Sequence, residues 1–329
     1  MKSRFLVNIV ASAMFSLPTL SLAAELNVVT SFSVLKDLVQ EVGGEHIHLT
    51  NLVQANGDAH VYQPSPLDAQ AVAEADLLVI NGLGFEGWME RLEQSSGFQG
   101  LTVVATDGVN LIHLDDDDEE HHDDEEHHDD KEHHDDEEHH DDEEEHHAEE
   151  HHHHGEFDPH AWHSVSNVLV YVENIRAAMV KLAPEHAADF NQNAKNYVSQ
   201  LQVLEKELAQ KMHLVPENKR NVITSHDAFG YLALEYGFNF TAPQGMSTEA
   251  EASAADVVKI IKQIRQHDIQ AVFVEKVSSS RLIEQIARET GAKIGGELYA
   301  DALSQPKQGA GTYIKMMKHN IHTLVEALH

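Results

Sequence analysis

No cysteine occurs among the 329 residues. A disulfide is therefore impossible, and so is a lipid-bearing Cys behind a signal peptide. Positive charge is scarce too: 22 Lys and Arg stand against 56 Asp and Glu, a formal charge of −34. Such a surface repels phosphate backbones, so no nucleic-acid partner is expected. Beyond the N-terminus no run is apolar enough to cross a bilayer. The N-terminus itself opens Met1-Lys2-Ser3-Arg4, continues through apolar residues 5–22 interrupted by Asn8 and Pro18, and reaches Ser21-Leu22-Ala23. That small-x-small ending reads as a cleaved secretory signal over residues 1–23. The mature chain is expected free in the periplasm of a Gram-negative cell, without a lipid anchor.

Most of the negative charge sits in one place. Residues 115–154 hold 24 carboxylates, 14 imidazoles, Lys131 and Ala148, a net −23 that leaves only −11 for the rest of the chain. The tract has no apolar period, so it cannot join a core and is expected to be a disordered loop. Neutral imidazole and carboxylate suit zinc, and the tract is expected to bind several such ions weakly. The secondary ligands are His121, His122, His127, His128, His133, His134, His139, His140, His146, His147, His151, His152, His153 and His154.

Either side of the tract the pattern is α/β. Strands are predicted at residues 26–30, 47–53, 77–80 and 101–105, with helices at 32–42, 66–75 and 85–92 between them. This alternation predicts a parallel sheet. A second series follows, with strands at 221–225, 271–275 and 293–295 and helices at 228–236, 253–267, 281–290 and 313–328. Asn27-Val28-Val29-Thr30-Ser31 and Asn221-Val222-Ile223-Thr224-Ser225 nearly repeat, each opening its half. Between the halves, apolar residues recur every three or four positions through residues 185–213, predicting a rigid strut about 42 Å long. The division expected is an N-terminal lobe over 24–183, a linking helix over 184–213 and a C-terminal lobe over 214–329.

Open α/β sheets place ligands in the crevice at the carboxyl ends of their strands. His60, His160, His226 and Asp301 fall just beyond predicted strands or at the junction of the halves. Three imidazoles and a carboxylate would complete a tetrahedral zinc shell, with Zn–N near 2.0 Å. Taken singly, each has a plainer reading: a His after a strand as a satisfied surface group, Asp301 as a helix N-cap. Trp162 is expected to pack beside His160 and exclude water. Asp58 is expected to form a turn or accept an imidazole N–H, and it is the alternative fourth ligand. His113 and His163 read as surface residues, and Glu86, Glu90 and Asp107 carry no functional reading.

Four motifs then coincide: Gly57-Asp58-x-His60-x-Tyr62-x-Pro64, Asp158-Pro159-His160-x-Trp162, Ser225-His226-Asp227-Ala228-Phe229-Gly230-Tyr231 and Tyr299-x-Asp301-x-Leu303. In this order, with Glu249-Ala250-Glu251-Ala252-Ser253, they resemble the metal-site signatures of the zinc- and manganese-specific solute-binding proteins of ABC transporters, the ZnuA/TroA/AztC-like cluster A-I family. The resemblance covers nearly all of the mature chain. It implies two α/β lobes bridged by one long helix, an ion held between them by His60, His160, His226 and Asp301, and delivery to a membrane permease. Manganese-binding relatives typically carry Glu at the third ligand position, where this chain has His226, so zinc is the expected cargo. A periplasmic zinc chaperone is a second candidate partner, and a monomer is expected.

No covalent chemistry is needed for that role, and affinity is expected to fall below about pH 6.5 as imidazoles protonate. Three other readings compete. One is a manganese- or nickel-binding relative. Another is a secreted zinc hydrolase, which would need an open coordination position and a general base, and the sequence has no His-Glu-x-x-His. The third is a metal store acting through the tract alone.

Overall fold

The computed structural model describes residues 25–114 and 156–329. The signal peptide and the His-rich tract lie outside these residues. The chain forms two sheets. Leu26–Phe32 (β1), Ile47–Val53 (β2), Leu77–Ile80 (β3) and Leu101–Val104 (β4) make the first, with Ser33–Gly43 (α1), Pro66–Ala73 (α2) and Met89–Ser96 (α3) between them. All its pairings are parallel, in the order β2-β1-β3-β4. Val165–Leu182 (α4) and Ala187–Met212 (α5) follow. The second sheet comprises Asn221–Ile223 (β5), Asn239–Thr241 (β6), Ala271–Glu275 (β7) and Lys293–Leu298 (β8). Gly230–Tyr236 (α6), Ala254–Gln266 (α7) and Ser280–Thr290 (α8) cross over it, and Tyr313–Leu328 (α9) ends the chain. It too is all parallel, in the order β6-β5-β7-β8. The opening strand of each lobe takes the second place in its sheet, so the near-repeat of residues 27–31 and 221–225 occupies matching positions.

Local chemistry accounts for the helix starts. Ser65 and Asp68 cap α2 reciprocally with Pro66 in the first turn, and Ser253 and Asp256 do the same for α7. The connecting helix α5 has 26 residues, about 39 Å, close to the strut expected. Its buried stripe of Phe190, Ala194, Tyr197, Leu201, Leu204, Leu208 and Met212 meets α1 and α4 of the first lobe and α9 of the second. One hydrophobic cluster therefore runs from β1 through α5 to α9, and a smaller one lies between β7 and helices α7 and α8. Among the described residues no helix is long and apolar enough to span a membrane.

Three elements depart from the pattern read in the sequence. Residues 85–88 are turns, and the helix there starts only at Met89. The loop is held open by the buried Glu86 carboxylate, which accepts from the N–H groups of Asn81 and Gly82 and from Ser31 Oγ. β6 has three residues, too few to show an alternation. β8 runs on through Gly295 and Gly296 to Leu298, because a Cβ at Gly296 would lie 2.4 Å from Thr323 of α9. These glycines let the last helix pack onto the strand rather than ending it.

Candidate metal centre

Four loops meet where the two sheets face each other with their carboxyl ends. After β2, Asn56-Gly57 turns the chain, with Asn56 at φ 62°, a conformation that Asn tolerates. The loop is fixed when Trp88 Nε1 donates to Ala59 O at 2.7 Å, and His60 rests edge-on against Phe85 at 4.6 Å. His160 is set by Asp158, whose Oδ1 accepts from both its backbone N–H and its Nδ1, at 2.9 and 2.8 Å. Asn81 Nδ2 donates to Pro159 O, and Tyr231 Oη donates to Asp158 O. Gly230 leaves the room Asp158 occupies: a Cβ there would stand 2.6 Å from Asp158 Oδ2.

His226 follows β5 by three residues. Glu275, the last residue of β7, accepts from the N–H groups of Ser225 and His226 at 2.7 and 3.0 Å and makes a short contact with His226 Nδ1. Asp301 follows β8 in a turn tied to α9, where Asn320 exchanges two hydrogen bonds with the backbone of Tyr299. Asp301 is not an N-cap: it is wholly buried and faces the three imidazoles.

The Nε2 atoms of His60, His160 and His226 lie 3.7, 3.5 and 3.1 Å from the two Asp301 oxygens. None of these contacts meets both the distance and the angle of a hydrogen bond, so all three nitrogens and both oxygens are buried without a partner. One donor atom from each residue lies within 4.8 Å of the other three. Five unpaired polar atoms at one buried point are costly unless a cation completes them. Three imidazole nitrogens and an anionic oxygen, with Nδ1 of His160 and of His226 tied to carboxylates, form a donor set suited to a divalent borderline metal.

The electrostatics prepare the same result. Burial pushes His60 down to about 3, despite Asp301, so it stays neutral with a free lone pair. Burial also opposes charge on His226, but Glu275 and Asp301 outweigh it and hold the imidazole well above its ordinary value. Asp301 is likewise penalised by burial, yet His226, His160 and His60 hold it well below the carboxylate range. A proton on His226 thus stands in for positive charge that an ion would supply.

The structure brings together the four residues singled out in the sequence. Trp162 is buried 5.3 Å from the His160 ring, and its Nε1 donates to Ala300 O next to Asp301. Asp58 does not accept an imidazole N–H. It accepts the backbone N–H of His60 at 2.9 Å and the hydroxyl of Thr248, from the other lobe, at 2.7 Å. The imidazole acceptors are Asp158, which the Asp158-Pro159-His160 motif contains without an assigned role, and Glu275, which stands at a strand's carboxyl end outside every motif. His163 is no surface residue: it is wholly buried against Trp162 and Phe229, and burial pushes it down to about 3, so it is neutral. His113 is exposed, as expected.

Comparison with known proteins extends this picture. Residues 28–327 match the family described as zinc-uptake complex component A, periplasmic. The chain is 31% identical over 304 residues to the manganese-binding lipoprotein MntA of Halalkalibacterium halodurans, covering 92% of this chain and 88% of the relative. It is 30% identical over 304 residues to the iron-binding protein YfeA of Yersinia pestis, covering 92% and 86%. Among solved structures, the periplasmic zinc-binding protein TroA of Treponema pallidum superposes with a TM-score of 0.78 at 27% identity, over 93% of this chain and 99% of that one.

Proposed function

This chain belongs to the periplasmic zinc-uptake complex component A family, and from that premise we propose that it captures Zn2+ and delivers it to a membrane permease. At the coarser level it is a metal-binding, substrate-binding component of an ABC importer that works outside the cytoplasm, and it is not an enzyme. One observation carries the zinc reading: three partnerless imidazole nitrogens and a single carboxylate share one closed, buried point. His60, His160, His226 and Asp301 are the proposed ligands. Imidazole suits zinc, whereas manganese favours carboxylate, carbonyl and water. Relatives named for manganese and iron make the choice of ion the point to test.

The proposed units are a lobe over 24–183, a connecting helix over 184–213 and a lobe over 214–329. The absence of Cys from the sequence favours a protein without the lipid anchor of the relatives named as lipoproteins. The tract at residues 115–154 is proposed to gather zinc at low affinity, raising its local concentration near the cleft, and to accept it from a periplasmic chaperone.

The test is competition at the cleft. Metal-free protein given equal Zn2+ and Mn2+ against a chromophoric chelator should retain zinc with at least a hundredfold preference, abolished in His226→Ala. Equal retention of manganese would overturn the zinc reading while leaving the family membership intact.

A further inference from the structure

At the amino end of the first sheet, opposite the rim that faces the cleft, three more donors meet. His46 lies in the turn that feeds β2, His186 closes the short turn Pro184–His186, and Asp189 stands in the first turn of α5. His60 follows the far end of the same strand β2, so the two groups of donors belong to opposite ends of the lobe.

One donor atom from each of the three lies within 4.8 Å of the other two. His46 Nε2 is 2.9 Å from Asp189 Oδ2. The two imidazoles stack, with centroids 3.9 Å apart and planes at 21°. The buried ring of Phe190 stands edge-on beneath them, 5.9 Å from His46 and 6.1 Å from His186. Both imidazoles are half-buried and Asp189 is exposed.

The backbone beneath these donors is fixed from three directions. Leu26 N donates to His46 O at 3.1 Å, His186 N donates to Ala183 O at 3.0 Å, and Asn193 Nδ2 of α5 reaches Val42 O at 3.1 Å. The cluster therefore sets two imidazoles beside one carboxylate. That is the donor chemistry of zinc, nickel and copper rather than of magnesium or calcium.

We propose that His46, His186 and Asp189 form a second metal site, taking a borderline divalent cation such as Zn2+ with its remaining coordination positions open to water. A tetrahedral ion at about 2.0 Å from its ligands sets donor atoms about 3.3 Å apart. An exposed carboxylate and two half-buried imidazoles have room to turn toward that spacing. With three donors rather than four, and solvent on one side, the site fills after the cleft does. A bound ion staples the turn entering β2 to the first turn of the connecting helix, independently of the cleft.

Two measurements on the full chain decide it. Crystals soaked in Zn2+ should show an anomalous peak at the zinc edge between the three side chains. In solution, Zn2+ should protect His46 and His186 together from diethylpyrocarbonate, read peptide by peptide, with one micromolar midpoint. Asp189→Asn should move that midpoint at least tenfold while the imidazoles of residues 115–154 are protected as before. No anomalous peak overturns the proposal. So does protection that appears only at millimolar zinc, or a midpoint unchanged in Asp189→Asn.

Discussion

Glu275 orients His226 and raises its proton affinity at once, because one carboxylate takes two backbone N–H groups and the imidazole Nδ1. Replacing it with Gln keeps an acceptor but removes the charge. Zinc affinity at pH 8 should then fall about 10–100-fold, the usual effect of losing a ligand's outer partner. At pH 6 the loss should be smaller, since the variant imidazole competes less well for a proton. Chelator competition at both pH values checks this, and an equal loss at both would count against the proton argument. His60 is already neutral, while His226 is held above its ordinary value by two carboxylates. Metal uptake at pH 7 should therefore release about one proton, the sign expected when an ion replaces H+ on a ligand. Calorimetry in buffers of different ionisation enthalpy measures it, and zero release would exclude His226 as a protonated resting ligand. The proposed ligands were legible because each sits in a short motif, three of them beyond a strand and His160 at the junction after the acidic tract. Their carboxylate partners were not. A Glu at a strand end looks like a solvated residue until a strand two places away in the chain order is laid beside it, and His163 was misread because only packing by Trp162 and Phe229 shows its burial.

Among the elements, α1 and α9 are joined by a carboxylate out of place. Asp37 of α1 accepts the N–H of Tyr313, the first residue of α9, at 2.7 Å. Burial, its largest influence, pushes this acid up to about 6 from 3.8. The fold therefore prefers it protonated. Its contribution is fully present below about pH 4 and is lost as pH rises from there to about 6, a difference of about 2–3 kcal/mol at 1.36 kcal/mol per unit. Asp37→Asn, whose amide oxygen still accepts from Tyr313, should flatten that slope and leave the protein more stable than the parent at pH 8. Denaturant unfolding at pH 4 and pH 8 tests it; parallel slopes in both proteins would dismiss the idea. The long helix was readable from its seven-residue apolar stripe, and Leu201→Ala within that stripe should cost about 2–5 kcal/mol of stability in the same assay. What escaped the sequence was β6 and the length of β8, where three residues and a pair of glycines carry no period of their own.

On the scale of the whole molecule, the two sheets share one strand order, and the cleft contacts knit them together. Thr248 Oγ1 donates to Asp58 Oδ2, Asn56 N donates to Leu303 O, and Leu303 N donates to Ser33 Oγ. Thr248→Val removes the first of these next to the His60 loop. Metal should then dissociate about fivefold faster, from about 1 kcal/mol for one hydrogen bond, while the association rate holds. Stopped-flow chelator chase reads both rates, and an unchanged off-rate would show that this bond does not hold the lobes shut. Two-lobe architecture could be inferred from the alternation and the near-repeat alone. The cross-lobe bonds could not, since Asp58 and Thr248 are 190 positions apart.

His60 and His160 come from loops packed on the first sheet, His226 and Asp301 from the second. On the proposed ligation, each half of the molecule is a mere bidentate fragment, and the tight chelate exists only while both are pressed together. A transporter that parts them by an ångström or two thereby strips a pair of donors in a single movement. Unloading then follows from separating the lobes, with no need for a stronger competing ligand.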